Sequence, residues 1–254
     1  MRISVCTTNY NCAHALRGHL ESVYRNLRGL DFEYIVTDNR SRDSSRQILT
    51  EWSNRKPNMK LLTARCTMGE GRQIAFWLSK GTHIMVLDTD VIYSDLLRKF
   101  TDVYLANYSD KSVQAIYCGI FPREHWLQAG GRRSLNTNED VDMWLRILRA
   151  ASIRWYPVSL GENVKEPDAW GRADYLSRRY PKRERIFRLV RREWDLFKTR
   201  ELQSLDLHSI IRPHIVDLRI GPVPGDWPQK RVSESTKEHL LGFARELKRV
   251  FSTT

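Results

Sequence analysis

Short apolar, β-branched runs alternate with segments of helical periodicity through the first 120 residues, and few folds accommodate that alternation. Ile3–Thr7 reads as a strand, and residues 13–28 as a helix with Ala15, Leu16, Leu20, Val23, Tyr24 and Leu27 at spacings of three and four. Phe32–Thr37 and Lys60–Ala64 read as further strands, with a helix between them that Asp43 or Ser44 caps and that runs through Trp52. The spacing predicts a helix over 70–80, closed by Gly81 as a C′ glycine. Thr82–Leu87 is the most apolar strand and is expected at the centre of the sheet. Ser94-Asp95 caps a helix to about Tyr108, and Val113–Ile120 forms the next strand. Strands separated by helices imply right-handed βαβ units, and so an α/β, Rossmann-like, mostly parallel sheet flanked by helices.

Such sheets bind ligands beyond the carboxyl ends of their strands. Here those ends hold Thr7-Thr8-Asn9-Tyr10, Asp38-Asn39 and Asp88-Thr89-Asp90, so the polar and acidic residues gather where this architecture puts its site. The second half of the chain differs. Residues 139–151 make a helix with Val141, Trp144, Leu145 and Leu148 on one face, and Ile153–Val158 a strand that Pro157 confines to an edge. Beyond about 165 the chain is strongly basic. Residues 182–200 read as an amphipathic helix with Ile186, Phe187, Val190, Trp194 and Phe197 on its apolar side, and 234–251 as a final helix.

Charge and cysteine usage narrow the classes further. Among 254 residues, 42 Lys and Arg against 30 Asp and Glu leave a formal net charge of +12, which attracts polyanions without naming one. Nucleic-acid binding needs a basic stripe with stacking aromatics; residues 178–200 could supply one, but the acidic residues of the cleft would then have no purpose. No pair among Cys6, Cys12, Cys66 and Cys118 has the spacing of a zinc ribbon. Cys6 and Cys118 are expected as buried thiols, and a reducing, cytoplasmic compartment fits. The seven histidines do not cluster, and His208 and His214 lack helical metal-pair spacing. No run reaches the ~18 apolar residues of a membrane span, and the apolar stretch at the N-terminus is too short for a signal peptide.

Four segments carry residues suited to chemistry. Asp88-Thr89-Asp90 offers two carboxylates at a strand end, either for a Mg²⁺ or Mn²⁺ ion bridging to a diphosphate or as an acidic turn before the next helix. Asn138-Glu139-Asp140-Val141-Asp142 opens a helix whose dipole favours ionised acids. Asp140 there suits a general base taking a proton from an acceptor hydroxyl, with Glu139 orienting it. Gly69-Glu70-Gly71-Arg72-Gln73 lacks the third glycine of a dinucleotide fingerprint and the Lys-Ser/Thr of a P-loop. It reads as a tight turn that sends Arg72 either to a phosphate or into water. Asp38 suits either a base imide or ribose hydroxyl, or a turn of its own.

Together these residues resemble a family 2 glycosyltransferase of the GT-A fold. Ile3-Ser4-Val5-Cys6-Thr7-Thr8-Asn9-Tyr10-Asn11 is similar to that family's first strand, and Glu21-Ser22-Val23 to its first helix. Asp31-Phe32-Glu33-Tyr34-Ile35-Val36 followed by Asp38-Asn39-Arg40-Ser41-Arg42-Asp43 resembles its second strand and D-[DN]-x-S-x-D turn. Gly69-x-Gly71-Arg72-Gln73-x-Ala75, Asp88-Thr89-Asp90 and Glu139-Asp140-Val141-Asp142-Met143-Trp144-Leu145-Arg146 resemble its later motifs, in the expected order across about residues 2–150. Gly130-Gly131-Arg132-Arg133 partly matches the acceptor-side segment, with two unexpected arginines.

The resemblance implies a GT-A catalytic domain over 1–165, with a nucleotide-binding half at 1–90 and an acceptor half at 91–165. A basic, mainly helical extension over 166–254 follows it. It implies inverting transfer of a sugar from a nucleoside-diphosphate sugar to a glycan hydroxyl or a lipid-linked acceptor. Thr8, Tyr10, Asp38 and Asn39 would then hold the nucleoside, with Arg72 and Thr89 beside the donor. Asp90, helped by Asp88, would hold Mg²⁺ or Mn²⁺, and Asp140 with Glu139 would be catalytic. A nucleotidyltransferase is the competing enzyme class, but those use a basic glycine-rich loop where this chain has Thr7–Cys12. Residues 182–200 leave two readings open: a peripheral contact with the inner face of a membrane, or a helix packed on the catalytic domain.

Overall fold

The computed structural model describes residues 1–136 and 139–164. The helices expected over 182–200 and 234–251, and the extension 166–254 as a whole, lie outside the described residues. The elements run β1 (Ile3–Asn9), α1 (Ala13–Asn26), β2 (Phe32–Asp38), α2 (Ser45–Arg55), β3 (Met59–Thr63), α3 (Met68–Trp77), β4 (His83–Leu87), β5 (Val91–Tyr93) and α4 (Leu96–Asn107). They continue as β6 (Ser112–Ile116), β7 (Cys118–Pro122), α5 (Arg123–Gln128), α6 (Glu139–Ala150), β8 (Ile153–Ser159) and β9 (Gly161–Asn163).

Seven strands make one sheet in the order β3-β2-β1-β4-β7-β6-β8, and β5 pairs with β9 in a small second sheet. Strands β1, β2, β3 and β4 run parallel, as do β6 and β8, while β7 is antiparallel to both its neighbours. The apolar strand β4 stands at the centre, every residue of it buried. β8 takes the edge, in keeping with its proline.

Period-2 alternation divides the core into two layers. Ile3, Val5, Tyr34, Val36, Met85 and Leu87 face a cluster with Leu16, Leu20 and Val23 of α1 and Leu97 and Phe100 of α4. Cys6, Ile35, Ile84, Val86 and Phe121 face the other way, against Ala75 and Phe76 of α3, Trp126 of α5, and Met143 and Ile147 of α6. A strand buried on both faces needs apolar residues at successive positions, which is why residues 84–87 of β4 read as an unbroken apolar run. Both Cys6 and Cys118 are buried free thiols.

Three expectations need correction. The apolar run 113–120 is not one strand but the hairpin β6–β7, with Ala115 paired to Cys118 across Ile116-Tyr117. Tyr117 takes φ 65°, a conformation a tyrosine rarely adopts, so no residue type announced the turn. Gly81 does not end α3. That helix stops at Trp77 with Leu78 right-handed behind it, and Gly81 is small because a Cβ there would stand 2.5 Å from Ser4 Oγ. Gly69-Glu70-Gly71 is not a tight turn but the first turn of α3. It is closed by a capping box in which Thr67 Oγ1 accepts from Glu70 N and a Glu70 carboxylate oxygen accepts from Thr67 N at 2.7 Å. Helix α5 and the β5–β9 pair had no counterpart in the sequence reading.

The chain leaves β1 through α1 toward β2 and β3, then returns through α3 to β4 on the other side of β1. Helices α1 and α3 therefore cover opposite faces, and the crevice between β1 and β4 opens at their carboxyl ends.

Candidate active site

The carboxyl ends of β1 and β2 are tied by a polar turn. Asp38 is fully buried and accepts from Asn9 Nδ2 at 2.8 Å, Ser41 Oγ at 2.6 Å and Ser41 N at 2.9 Å. Asp43 accepts from Ala13 N at 2.9 Å and Ser45 N at 3.0 Å, so one carboxylate serves the starts of both α1 and α2. Half-buried Asn39 accepts from Cys66 N at 3.0 Å and donates its own N–H to Asn9 O at 2.9 Å. Thr8 donates to Met68 O at 3.1 Å and packs on Gly71, where a Cβ would come within 2.5 Å of its hydroxyl. Tyr10 stands half-buried just beyond β1, and Thr89 is buried between Asp88 and Asp90.

Opposite this turn, Arg72 of α3 lies buried and gathers three carboxylates from two distant segments. Its Nη2 is 2.6 Å from Asp88 Oδ1; its Nη1 is 2.6 Å from Glu139 Oε1 and 2.7 Å from Asp140 Oδ1. Arg132, also buried, reaches the same Asp140 oxygen at 2.5 Å and stacks over the Trp126 ring at 5.4 Å. Glu139 is closed to solvent, whereas the Asp140 side chain keeps 36% and that of Asp88 35% of its exposure, so these two are the members a ligand can meet. Asp88 N donates to the Tyr93 hydroxyl, which donates in turn to Tyr117 O at 2.6 Å, holding the Asp88 turn against the β6–β7 hairpin.

The cluster drives its acids apart. Burial, then the repulsion of Asp140, pushes Glu139 up to about 7 against the attraction of Arg72 and Arg132. Burial likewise raises Asp88 to about 7, with Asp90 and Asp140 adding to the push and Arg72 opposing it. Asp140 moves the other way. Burial would raise it, but the charges and hydrogen bonds of Arg72 and Arg132 hold it at about 2. Asp140 is thus a firmly ionised carboxylate at the mouth of a helix, between two guanidinium groups.

The structure brings together Arg72, Asp88, Glu139 and Asp140, and the fields of Asp90 and Asp140 both act on Asp88. Thr8, Asn39 and Asp38 belong to the β1–β2 end of the crevice, where Asp38 is engaged by Asn9 and Ser41. Arg132 was noted from sequence as an unexpected arginine but given no role at the site, and Tyr93 was not singled out. Arg132 had one signal, the Gly130-Gly131 pair before it; Tyr93 had none. Among the described residues no group of three or more His, Cys, Asp or Glu is arranged to hold a metal ion.

Comparison with known proteins adds to this geometry. The sequence model of Glycosyl transferase family 2 matches residues 4–158, more than half of the chain. A search of curated proteins found no match. Among solved structures, the mannosyltransferase PcManGT from Pyrobaculum calidifontis, in complex with GDP-Man and Mn²⁺, aligns with TM-score 0.59 and 14% identity over 99% of this chain and 72% of that one. S. aureus TarS 1–349 in complex with UDP aligns with TM-score 0.52 and 17% identity over 65% of this chain and 61% of that one. A further structure of S. aureus TarS 1–349 gives TM-score 0.51 and 17% identity over 63% of this chain, which spans only 59% of that chain. At these identities the likeness is one of fold, the GT-A arrangement of a mostly parallel sheet between helices. With the matched family spanning both the β1–β2 end and the acidic end of the crevice, the chain belongs to glycosyl transferase family 2.

Proposed function

We propose that this chain transfers a glycosyl group, with inversion, from a nucleoside-diphosphate sugar to a hydroxyl or lipid-phosphate acceptor, and that Asp140 is the general base. The observation that carries this reading is the single buried guanidinium of Arg72 shared by Asp88 and Asp140. It sets an acidic strand end and an ionised helix-start carboxylate on one crevice, and both keep exposed surface. Two of the structures named above were solved with UDP and with GDP-Man and Mn²⁺, which favours the same class of donor here.

Asp88 and Asp90 present hard oxygen donors, a fit for Mg²⁺ or Mn²⁺. Two carboxylates do not complete a coordination shell, so the ion would share its remaining positions between diphosphate oxygens and water, as Mg²⁺ commonly does. When bound, such an ion supplies positive charge to the departing diphosphate. Asp90 is the main ligand in this reading and Asp88 its partner. Thr8, Tyr10, Asn39 and Thr89 line the donor's path, and Asp38 orders the turn beneath the nucleoside.

The protein's part in the chemistry follows from the cluster. The acceptor O–H gives its proton to an Asp140 carboxylate oxygen. The freed oxygen lone pair forms a bond to the sugar's anomeric carbon, and the bond from that carbon to the phosphate oxygen breaks with its electrons leaving on the nucleoside diphosphate. Two guanidinium groups keep Asp140 ionised but weakly basic, so proton transfer requires Arg72 to turn from Asp140 toward the diphosphate while Arg132 stays to hold the carboxylate in place. Arg72, whose fork already spans Asp88 and Asp140, is the group suited to that exchange. The buried thiols of Cys6 and Cys118 favour a reducing, cytoplasmic compartment.

A screen of UDP-, GDP- and dTDP-sugars with Mn²⁺ or Mg²⁺, read by thermal shift and by hydrolysis, tests this reading. One donor class is expected to stabilise the chain and to be hydrolysed slowly. Asp140→Asn should lose transfer by a factor of roughly 10²–10⁴ and keep donor binding. Near-normal turnover in that variant would falsify the assignment of the base.

A further inference from the structure

We infer that Gln73 is a positioning residue for transfer: its side-chain oxygen fixes the loop that delivers Arg132 to Asp140. The inference rests on the reading of Asp140 as the base and adds a residue to it.

Gln73 follows Arg72 on α3 and is buried. Its Oε1 accepts two hydrogen bonds, from Trp126 Nε1 at 3.0 Å and from the backbone N–H of Arg132 at 2.7 Å, which fills both lone pairs of the oxygen. The loop between α5 and Arg132 is held from its other side by Arg146 of α6, whose Nη1 donates to the carbonyls of Ala129 and Gly131. Between these two holds the backbone turns through Gly130 at φ 74° and Gly131 at φ 71°, a path side chains resist. A Cβ on Gly131 would stand 2.5 Å from Gln73 Oε1, so the glycine and the glutamine are fitted to each other.

The product of this arrangement is the place of one guanidinium. Arg132 leaves the loop over the Trp126 ring and meets Asp140 at 2.5 Å. Neither its Nε nor its Nη1 has a hydrogen-bond partner among the described residues, so backbone, ring and the ion pair to Asp140 orient it. Both the backbone N–H and the ring that set Arg132 are themselves set by the same oxygen of Gln73. Removing that acceptor leaves two buried donors unpaired and frees the loop, and Arg132 then no longer addresses Asp140 in one geometry. Because Gln73 touches neither Asp140 nor the crevice residues of the donor end, the loss falls on turnover and not on donor affinity.

The test uses the whole chain and the nucleotide sugar that the wild type hydrolyses fastest among UDP-glucose, UDP-N-acetylglucosamine and GDP-mannose with Mn²⁺. Gln73→Leu keeps the size and removes the acceptor. It should lower kcat roughly 10–100-fold while donor KM stays within about threefold. Gln73→Glu, which still accepts both bonds, should recover kcat to within about threefold of wild type. In an Arg132→Met background, Gln73→Leu should cost nothing further, since both changes then act on one contact. Should Gln73→Leu lose its thermal transition, Gln73→Asn, which retracts the acceptor by one methylene, is read for the same split between kcat and KM.

Wild-type kcat in the folded Leu or Asn variant overturns the proposal. So does an undiminished penalty in the Arg132→Met background, or failure of the Glu variant to recover. Asp140→Asn is assayed beside them. Full activity there refutes the base itself, whereas full activity in Gln73→Leu with an inactive Asp140→Asn refutes only the role of Gln73.

Discussion

Arg72→Met is the substitution that presses hardest on the acidic cluster. Methionine keeps much of the buried stem and removes the positive charge from three carboxylates within 2.6–2.7 Å. Deleting one partner of a buried ion pair costs about 3–5 kcal/mol, because the remaining charge stays buried without compensation. For a domain of this size, that lowers Tm by roughly 6–20 °C. The pH dependence carries a sign. Glu139 and Asp88 titrate near 7 in the folded protein, well above ordinary carboxyls, so the fold binds protons there that the unfolded chain does not. Stability associated with those two groups is therefore present at low pH and lost as pH rises through 7. Without Arg72 their charged forms become costlier still. The penalty should be full at pH 8 and shrink to less than half at pH 5, where both are protonated and Asp140 keeps Arg132 as its partner. Urea denaturation of both proteins at pH 5, 6.5 and 8 measures it. A penalty under about 1 kcal/mol at pH 8, or one that grows toward pH 5, would refute the account of Arg72 as the charge that holds the cluster together.

Three further outcomes are expected. Asp90→Ala should abolish the Mn²⁺-dependent part of the donor-induced thermal shift and leave the metal-free shift unchanged; an intact metal response would reassign the ligand. His19 is buried between the Val91 carbonyl and the Tyr34 hydroxyl, and burial pushes it down to about 4 from an ordinary 6.5. The unfolded chain thus takes up that proton first, so stability is whole above pH 6.5 and loses about 3 kcal/mol on falling to 4. His19→Gln should remove that part of the pH slope, and an unchanged slope in denaturation curves would count against it. Gly71→Ala forces a methyl to 2.5 Å from Thr8 Oγ1 and 3.1 Å from Cys66 Sγ. It should cost about 1–3 kcal/mol by calorimetry and weaken donor binding; a neutral variant would show that β1 and α3 have slack there.

Much of the fold can be read from residue order because its causes are local. The two-sided burial of β1, β2 and β4 and the 3–4 spacing of α1 appear directly as apolar patterns. Pro157 marks an edge strand for the simple reason that it lacks a backbone donor. The misread places have equally physical causes. The β6–β7 hairpin bends at a tyrosine with φ 65°, held there by strand pairing and by the hydrogen bond from Tyr93 to its carbonyl. Gly81 looked like a helix stop, but its smallness answers to Ser4, on another strand.

For the crevice the division is sharper. Residue order alone determined that acids follow β4 and open α6, that a helix covers most of 70–80, and that these segments lie in the order of one enzyme family. Tertiary structure alone decided that Arg72 is buried, that it joins residues 16, 67 and 68 positions away, and that Arg132 enters from a loop set by Gln73. The reason is range. Periodicity and capping act within a turn or two of chain, whereas the basicity of Asp140 depends on which charges a folded sheet carries into the same few ångströms of low-dielectric space.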